Sequence, residues 1–401
     1  MVLLALALVG DGLGKFGIVA FDTGIAREHR GLRAGRRGNA AIVARGGVPG
    51  RSRRGQWEGS RRERRSYRAR WAVIARGIGL AGVVGALAWG IGMALPLVGA
   101  AVAAIVLGVL VRALFAPGPA FDPGIRFTGR KLLQWSIVGL GFGLDLGEVA
   151  RTGLESLGVM LGTLAVAFIA AWALGRLLRV PGKLTMLVGV GTAICGGSAI
   201  AAVAPIIRPR DHETAFAIST IFLFNLLAVL VFPPLGHWMG LSDAGFGLWA
   251  GTAINDTSSV VAAGYAYSQP AGDYATIVKL TRATMIVPVC LAIAALVAWR
   301  GDGSAGAGMA RPGLAKVFPW FVLWFLAASA LRTAGWVPEA LLAPLHLAAV
   351  ALMVLALAAI GLSADLRRMR DAGARPILLG LGVWAAVAVG SLALQFAGGQ
   401  A

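Results

Sequence analysis

The sequence predicts an all-α polytopic membrane protein with about 11 transmembrane helices, inverted repeats and two broken helices. Apolar residues occupy 58% of the 401 positions, and the mean hydropathy is +0.77. Only 14% of the residues are charged, which is too few to cover the surface of a soluble protein of this length. The apolar residues also fall into successive stretches near the length of about 20 residues that a helix needs to cross a bilayer.

From Trp71 onward, eleven stretches meet this criterion. They are 71–92, 96–115, 130–146, 154–178, 183–207, 213–236, 243–267, 273–299, 316–334, 338–362 and 374–397. The connections between them are short, so we expect residues 71–401 to form one transmembrane domain without a soluble catalytic module.

Residues 1–70 differ from the rest of the chain, because they carry a net charge of +11 and no apolar periodicity. The short apolar run at residues 1–10 lacks the basic region that opens a signal peptide. Residues 1–70 as a whole cannot bury enough apolar surface to fold alone, and we predict that they form a basic, disordered cytosolic extension. The alternatives are an arm that contacts anionic lipid headgroups and, less well supported, a nucleic-acid contact. We expect no nucleic-acid partner, because an arginine-rich run carries no readout chemistry.

The basic residues predict the orientation in the membrane. With the N-terminus inside, alternate loops hold 14 Lys and Arg residues on the cytoplasmic side, among them Arg179 and Lys183. The opposite side holds six, which are Arg151, Arg208, Arg210, Lys279, Arg282 and Arg332. This asymmetry favours a multi-pass membrane protein with a cytoplasmic N-terminus and the C-terminus outside. The two cysteines and four histidines predict neither a disulfide framework nor a metal site, and no cofactor motif is present.

A short internal similarity suggests an inverted repeat. Residues 141–153, GFGLDLGEVARTG, align with residues 361–373, GLSADLRRMRDAG, at a constant offset of 220. The first copy turns on the outer side and the second on the inner side, as an inverted-topology repeat requires. Asp145 and Asp365 are either coupling carboxylates or, as we expect, caps for the backbone N–H groups of the following helix.

Two apolar stretches contain glycine and small polar residues where an unbroken helix is expected, namely GTAICGGSA at 191–199 and GTAINDTSS at 251–259. Glycine weakens the helical ladder, and an unwound stretch leaves N–H groups that suit an anion and C=O groups that suit a cation. Discontinuous helices of this kind form substrate sites at the bilayer midplane. Close helix packing is the competing interpretation, although it does not explain Asn255 and Asp256. By our count, both broken helices run in the same direction, whereas inverted-repeat partners should be antiparallel. Either the GTAI similarity is not the repeat relation, or one segment is re-entrant, or a span is miscounted.

Asp256 lies near the centre of its segment, where an isolated carboxylate is costly unless it is protonated, paired or solvated. We therefore expect it to bind and release a proton or Na⁺. Lys279 and Arg282 share one face of the next helix and are its candidate partners, or they reach the outer headgroups instead. The complete set of candidate substrate and ion ligands is Thr192, Cys195, Gly196, Gly197, Ser198, Thr252, Asn255, Asp256, Thr257, Ser258, Ser259, Lys279 and Arg282.

Several motifs in order resemble the YeiH-type bacterial inner-membrane family, also called the putative sulfate exporter family. They are VGLGFGLDL (138–146), GTAICGGSAIAAVAPII (191–207), GTAINDTSSVVAAG (251–264), VKLTRATMIVPV (278–289), FPWF (318–321) and AAIGLSADL (358–366). The resemblance covers about residues 71–397. It implies a secondary transporter related in architecture to bile-acid/sodium symporters and cation–proton antiporters, with inverted five-helix repeats and crossing broken helices. Many members have a His-Glu pair followed by Gln where this chain has Asn255, Asp256 and Ser259. The acid is kept in type but the neighbouring imidazole is lost, so we expect no proton relay that uses it, and the substrate or coupling ion can differ.

These features favour a secondary transporter that exports a small anion, such as sulfate or a related organosulfur compound or oxyanion, coupled to H⁺ or Na⁺. The expected partners are the lipid bilayer, the anion, the coupling ion and, for assembly, a second copy in a homodimer. The competing classes are an intramembrane enzyme and a passive anion channel. An aspartyl protease needs G-x-G-D, whereas GFGLD has its acid one residue later, and no serine-enzyme or Walker motif is present.

Overall fold

A computed structural model describes residues 53–94, 99–299, 318–364 and 373–400, and within these ranges every regular element is a helix. The first six helices are α1 (Arg53–Ala94), α2 (Gly99–Phe115), α3 (Asp122–Phe127), α4 (Leu133–Gly141), α5 (Leu146–Glu155) and α6 (Leu157–Leu177), with a π-helical turn over Thr128–Leu132. The next seven are α7 (Gly182–Ala193), α8 (Gly197–Ile207), α9 (Asp211–Met239), α10 (Asp243–Ala253), α11 (Thr257–Tyr267), α12 (Gln269–Thr284) and α13 (Ile286–Trp299). The last three are α14 (Trp320–Thr333), α15 (Glu339–Leu362) and α16 (Ala374–Gly398).

Length and composition identify six segments among the described residues that can cross a membrane. They are Ile74–Ala94, Leu157–Leu177, Asp211–Met239, Gln269–Val297, Glu339–Leu362 and Ala374–Gly398. Shorter apolar helices cover Gly99–Phe115, Gly197–Ile207 and Trp320–Thr333. The all-helical class with multiple apolar helices is therefore confirmed, whereas the predicted number of spans is not. Residues 1–52 of the predicted extension lie outside the described residues, and residues 53–70 are helical, as the first part of α1.

Asp145 has the structural role that its position predicts. Its Oδ1 accepts a hydrogen bond from the backbone N–H of Gly147 at 2.7 Å and thereby caps α5. Thr333 donates its hydroxyl to the other carboxylate oxygen at 3.0 Å, and this bond is the main reason why the pKa of Asp145 is lowered. Asp365, its predicted counterpart, lies outside the described residues.

The segment that carries GTAICGGSA is a helical hairpin, here called hairpin 1 (residues 182–207). Its arms are α7 and α8, and its tip is residues 194–196, where Gly196 has a φ of +64°. That backbone conformation is accessible essentially to glycine alone. The base is closed by Lys183, whose Nζ donates to the carbonyl of Arg208 at 2.8 Å. The arms are packed side by side, since a Cβ on Gly191 would lie 3.1 Å from the Ile200 side chain.

The segment that carries GTAINDTSS folds in the same way and is called hairpin 2 (residues 243–267). Its arms are α10 and α11, and its tip is residues 254–256. At its base, Ser268 donates its hydroxyl to Asp243, and Tyr267 donates its hydroxyl to the carbonyl of Leu241. The Tyr267 ring also stacks on His237, at the end of α9, with 4.1 Å between the ring centroids.

These contacts correct the prediction that the two broken segments cross the membrane. Each arm holds 11 or 12 residues and is about 16–18 Å long, so it reaches only about halfway through a hydrocarbon core of about 30 Å. In each hairpin, the chain enters and leaves at the same end of the bundle. Composition alone does not decide between the two topologies, because an apolar segment of about 25 residues has the same composition whether it continues or turns back.

The hairpins enter from opposite ends of the bundle. Helix α9, with 29 residues, is about 43 Å long; the base of hairpin 1 adjoins its start, and the base of hairpin 2 adjoins its end. The tips therefore meet halfway along α9. The prediction that the two broken elements run in the same direction is consequently wrong, because hairpin 1 with α9 and hairpin 2 with α12 are two units of opposite orientation.

Candidate functional site

The candidate site is the region where the two hairpin tips meet between the middles of α9 and α12. Helix α9 contributes Asn225, and α12 contributes Lys279 and Arg282. In each hairpin, the first arm ends at the tip with free carbonyl groups, and the second arm begins there with free N–H groups. The charge distribution of the site follows from how these two kinds of backbone group are satisfied.

Lys279 links the carbonyl ends of the two hairpins. Its Nζ donates to the carbonyl oxygen of Ile194 at 2.7 Å and to that of Ile254 at 2.9 Å. The side chain is 0% exposed, so both bonds lie in a low-dielectric interior. One ammonium group therefore neutralises the negative ends of the two helix dipoles at once.

Arg282 lies one turn further along α12 and makes the corresponding contacts. Its Nε donates to the carbonyl of Ala193 at 2.7 Å and its Nη2 to that of Thr192 at 2.8 Å. Its Nη1 donates to the carbonyl of Thr252 in hairpin 2. The guanidinium is also 0% exposed. The alternative that Lys279 and Arg282 extend to the outer headgroups is therefore wrong. The predicted pairing with Asp256 is not formed either, since among the described residues both side chains bond backbone carbonyls and Asp256 has no ion pair within 4.0 Å.

Asn225 satisfies the N–H groups at the tip of hairpin 2. Its Oδ1 accepts from the backbone N–H of Asn255 at 3.2 Å and from that of Asp256 at 3.1 Å. Asn225 is not among the predicted site residues; it stands alone in the apolar run IFLFNLLAVL at 221–230. A single amide in the middle of an otherwise apolar span is the signal that could have identified it.

Asp256 begins the second arm of hairpin 2. Its Oδ2 accepts from the backbone N–H of Ser258 at 3.0 Å and from the Ser258 hydroxyl, so the carboxylate caps α11. The residue is partly exposed, and within the described ranges its carboxylate forms no ion pair within 4.0 Å. Asp256 is therefore a carboxylate at the middle of the bundle rather than a cap at the membrane surface.

Two buried polar groups beside the tips have no hydrogen-bond partner among the described residues. The side chain of Asn255 is 0% exposed, and neither its Oδ1 nor its Nδ2 is bonded. The hydroxyl of Thr192, also 0% exposed, is unbonded as well. Each unsatisfied group of this kind costs about 1–3 kcal/mol, so such groups are rare in native interiors and call for an explanation.

A small cavity adjoins the tip of hairpin 2. Its polar wall consists of Asn225, Asp256, Ser258 and Ser259, and its apolar wall comes mainly from α2, α9 and α15. The cavity volume is about 20 Å³, which is enough for a single water molecule. Hairpin 1 is close by, since a Cβ on Gly196 would lie 3.7 Å from the Cβ of Asp256. The N-terminal ends of α8 and α11 thus approach one another.

The remaining predicted residues have different surroundings. The hydroxyl of Thr252 bonds that of Ser391 on α16 at 2.7 Å and faces away from the cavity. Cys195 is a buried free thiol, and Ser198 is exposed at the start of α8, where no side chain caps the first turn. Gly197 and Thr257 are partly exposed in the first turns of the second arms. All thirteen predicted residues lie at or beside the tips.

The fold and site together define a membrane protein with multiple apolar helices and a pair of opposed, buried hairpins. The chain belongs to the family described as Conserved hypothetical protein 698, whose family model matches residues 76–380. The resemblance to the YeiH-type family is thereby confirmed.

Three relatives illustrate how far the similarity extends. A UPF0324 membrane protein of Streptococcus agalactiae serotype V is 40% identical over 328 residues, which cover 80% of this chain and 96% of the relative. One from Streptococcus pneumoniae is 42% identical over 320 residues, covering 78% and 94%. One from Fusobacterium nucleatum is 38% identical over 329 residues, covering 77% and 93%.

Proposed function

We propose that this protein is a secondary transporter of the bacterial inner membrane that exports a small anion and binds it at the hairpin tips. The proposed substrate is sulfate or a related organosulfur compound or oxyanion. The observation that carries the proposal is the meeting of two opposed hairpins, with unsatisfied polar groups, beside a cavity halfway along α9. In secondary transporters, discontinuous helices with free ends at the midplane form the substrate site.

The electrostatics of the tips favour an anion. The N-terminal ends of α8 and α11 approach one another there, and helix N-termini carry positive partial charge. Lys279 and Arg282 contribute two formal positive charges against the single negative charge of Asp256. A bound anion offsets this excess of buried positive charge.

The unbonded side chain of Asn255 supplies both a donor and an acceptor for such a substrate. Its amide is held in place by the neighbouring backbone, which Asn225 anchors through two hydrogen bonds. Together with the hydroxyl of Ser259, which lines the cavity, this arrangement provides neutral hydrogen-bonding groups for the oxygens of an oxyanion.

We further propose nine membrane crossings, with the two hairpins re-entrant. The crossings are α1, α2, α3 with α4, α6, α9, α12 with α13, α14, α15 and α16. In this topology, Arg208 and Arg210 lie on the same side of the membrane as Arg179 and Lys183, unlike in the eleven-span prediction. Lys279 and Arg282 are buried and no longer count as residues of the outer surface. The excess of basic residues on the hairpin 1 side then increases, which favours a cytoplasmic base for hairpin 1 and a cytoplasmic N-terminus.

Anion flux into proteoliposomes tests the proposal. We expect saturable uptake of sulfate or another oxyanion that falls at least tenfold in Asn255→Leu, because this variant loses the free donor and acceptor. Asp256→Ala tests whether the carboxylate takes part and should also abolish flux. Asp145→Asn, which removes the charge of an exposed carboxylate outside the site, is the matched control and should retain flux. Unchanged flux in Asn255→Leu, or no flux with any oxyanion, would contradict the proposal.

A further inference from the structure

The carbonyl end of hairpin 1 has a donor for every oxygen from Val190 to Ile194. The Val190 and Gly191 carbonyls accept from the backbone N–H groups of Ile194 and Gly196, at 3.1 and 2.9 Å. The next three carbonyls, those of residues 192–194, accept from the side chains of Arg282 and Lys279. In helices that end inside a membrane, these are the oxygens that coordinate a coupling cation.

The carbonyl end of hairpin 2 is bound by the same two side chains. Arg282 donates to the carbonyl of Thr252, and Lys279 donates to that of Ile254. Five carbonyl oxygens from the two tips therefore converge on one ammonium and one guanidinium group. Both side chains are fully buried, so water does not screen their charge from the tips.

We propose that Lys279 and Arg282 are tethered cations that occupy the place of a coupling Na⁺, and that the transporter therefore works without Na⁺. This inference rests on the proposed function and deepens it, because it removes Na⁺ from the two coupling ions that the sequence allows. A Na⁺ ion at the tips would have to displace a covalently attached donor and then lie beside the remaining positive charge.

Thermal unfolding of the purified full chain in detergent tests the inference without requiring transport. Tm is measured in sodium, potassium and choline chloride at equal ionic strength. We expect the same Tm in all three salts for the wild-type protein. A Tm that Na⁺ raises selectively would overturn the proposal, because a ligand that binds the folded state stabilises it.

Lys279→Ala sharpens the test, since it frees the carbonyls of Ile194 and Ile254 and leaves space between them. We expect this variant to gain a Na⁺-specific rise in Tm that grows with Na⁺ concentration. Lys131→Ala removes the same charge from an exposed lysine and should gain no such response. A folded Lys279→Ala variant that is as indifferent to Na⁺ as the wild type would contradict the tethered-cation role.

Anion flux measured with and without a Na⁺ gradient keeps the inference testable if Lys279→Ala does not fold. Wild-type flux that agrees within about twofold under the two conditions supports the inference, and flux that requires Na⁺ overturns it. The absence of flux under both conditions would instead contradict the proposed transport function. The Tm measurements would still decide whether the tips bind Na⁺.

Discussion

The two hairpins share the residues GTAI just before the tip, at 191–194 and 251–254, and then diverge. In hairpin 1, the next residues are Cys195, Gly196 and Gly197, and the turn is made by a positive φ at Gly196. In hairpin 2 they are Asn255 and Asp256. Ile254 and Asp256 have extended backbones, and Asn225 accepts hydrogen bonds from the N–H groups of Asn255 and Asp256.

The comparison shows that a common backbone design carries different chemistry at each tip. The carbonyl ends of the two hairpins have the same partners, because both accept hydrogen bonds from Lys279 and Arg282. The N-terminal ends are treated differently, since α8 begins without a side-chain cap whereas Asp256 caps α11. The contacts that the two hairpins share therefore stabilise the fold, and the tips differ in how the N-terminal ends of their second arms are capped.

Arg282→Ala should lower the stability of the protein most, because Arg282 binds the carbonyl ends of both hairpins. The variant leaves three buried carbonyls without a donor, and at about 1–3 kcal/mol for each group the loss of stability should exceed about 3 kcal/mol. Arg282→Lys should recover only part of this loss, because an ammonium group lacks the planar fork. Thermal unfolding in detergent measures both variants, and a Tm of Arg282→Ala close to that of the wild type would contradict the assigned role.

Asn225→Leu should cause the second-largest loss of stability, and this loss should affect the tip of hairpin 2 but not that of hairpin 1. The variant removes the acceptor for two backbone N–H groups of hairpin 2, at a cost of about 2–6 kcal/mol, and leaves the bonds of hairpin 1 intact. Hydrogen exchange should therefore accelerate at residues 255–256 more than at residues 194–196. Equal acceleration at both tips would indicate that Asn225 supports the whole bundle rather than one hairpin.

Glycine substitutions at the tip of hairpin 1 test the positive-φ turn at Gly196, which hairpin 2 lacks at its tip. Gly196→Ala should cost about 1–3 kcal/mol, because it forces a side chain into a backbone conformation reserved for glycine. Gly197→Ala is the matched control: it has open space around its Cβ and a helical backbone, so its Tm should stay the same or rise slightly. If the two variants had equal Tm values, the turn at Gly196 would not be strained.

Asp145→Ala should have the smallest effect, because this cap is exposed and remote from both tips. We expect a slight fall in Tm at neutral pH. The contribution of Asp145 depends on a pKa lowered in the folded state, so it is present above the ordinary pKa of an aspartate and disappears as the pH falls through the lowered value. Wild type and variant should therefore become equally stable in acid, and a difference that persists there would have another origin.

Much of the site could be predicted from local sequence, because its signals are unusual in an apolar setting. Glycines in the middle of apolar segments indicated the two breaks, and Asp256, Lys279 and Arg282 were conspicuous as ionisable residues within candidate spans. Asp145 was identified as a helix cap from its position before a charged turn, and the structure confirms this.

The folding-back of the two segments could not be predicted, because it depends on contacts between distant residues. The bond from Lys183 to Arg208 and the stacking of Tyr267 on His237 close the hairpin bases, and neither contact leaves a periodic signal. The role of Asn225 was missed for the same reason, since its partners lie 30 and 31 residues away along the chain. Composition predicts that a segment enters the membrane, but it does not predict whether the segment crosses to the other side or folds back to the side where it entered.

The buried thiol at the tip of hairpin 1 has a practical consequence. The chain has only two cysteines, and Cys195 occupies the tip itself, whereas Cys290 lies on α13. A movement that exposed Cys195 would raise the rate at which a thiol reagent labels this residue, so labelling measured at Cys195 itself, apart from Cys290, would follow the opening of the tips. Reagents supplied from one face of the vesicle at a time would then reveal to which compartment the tip becomes accessible.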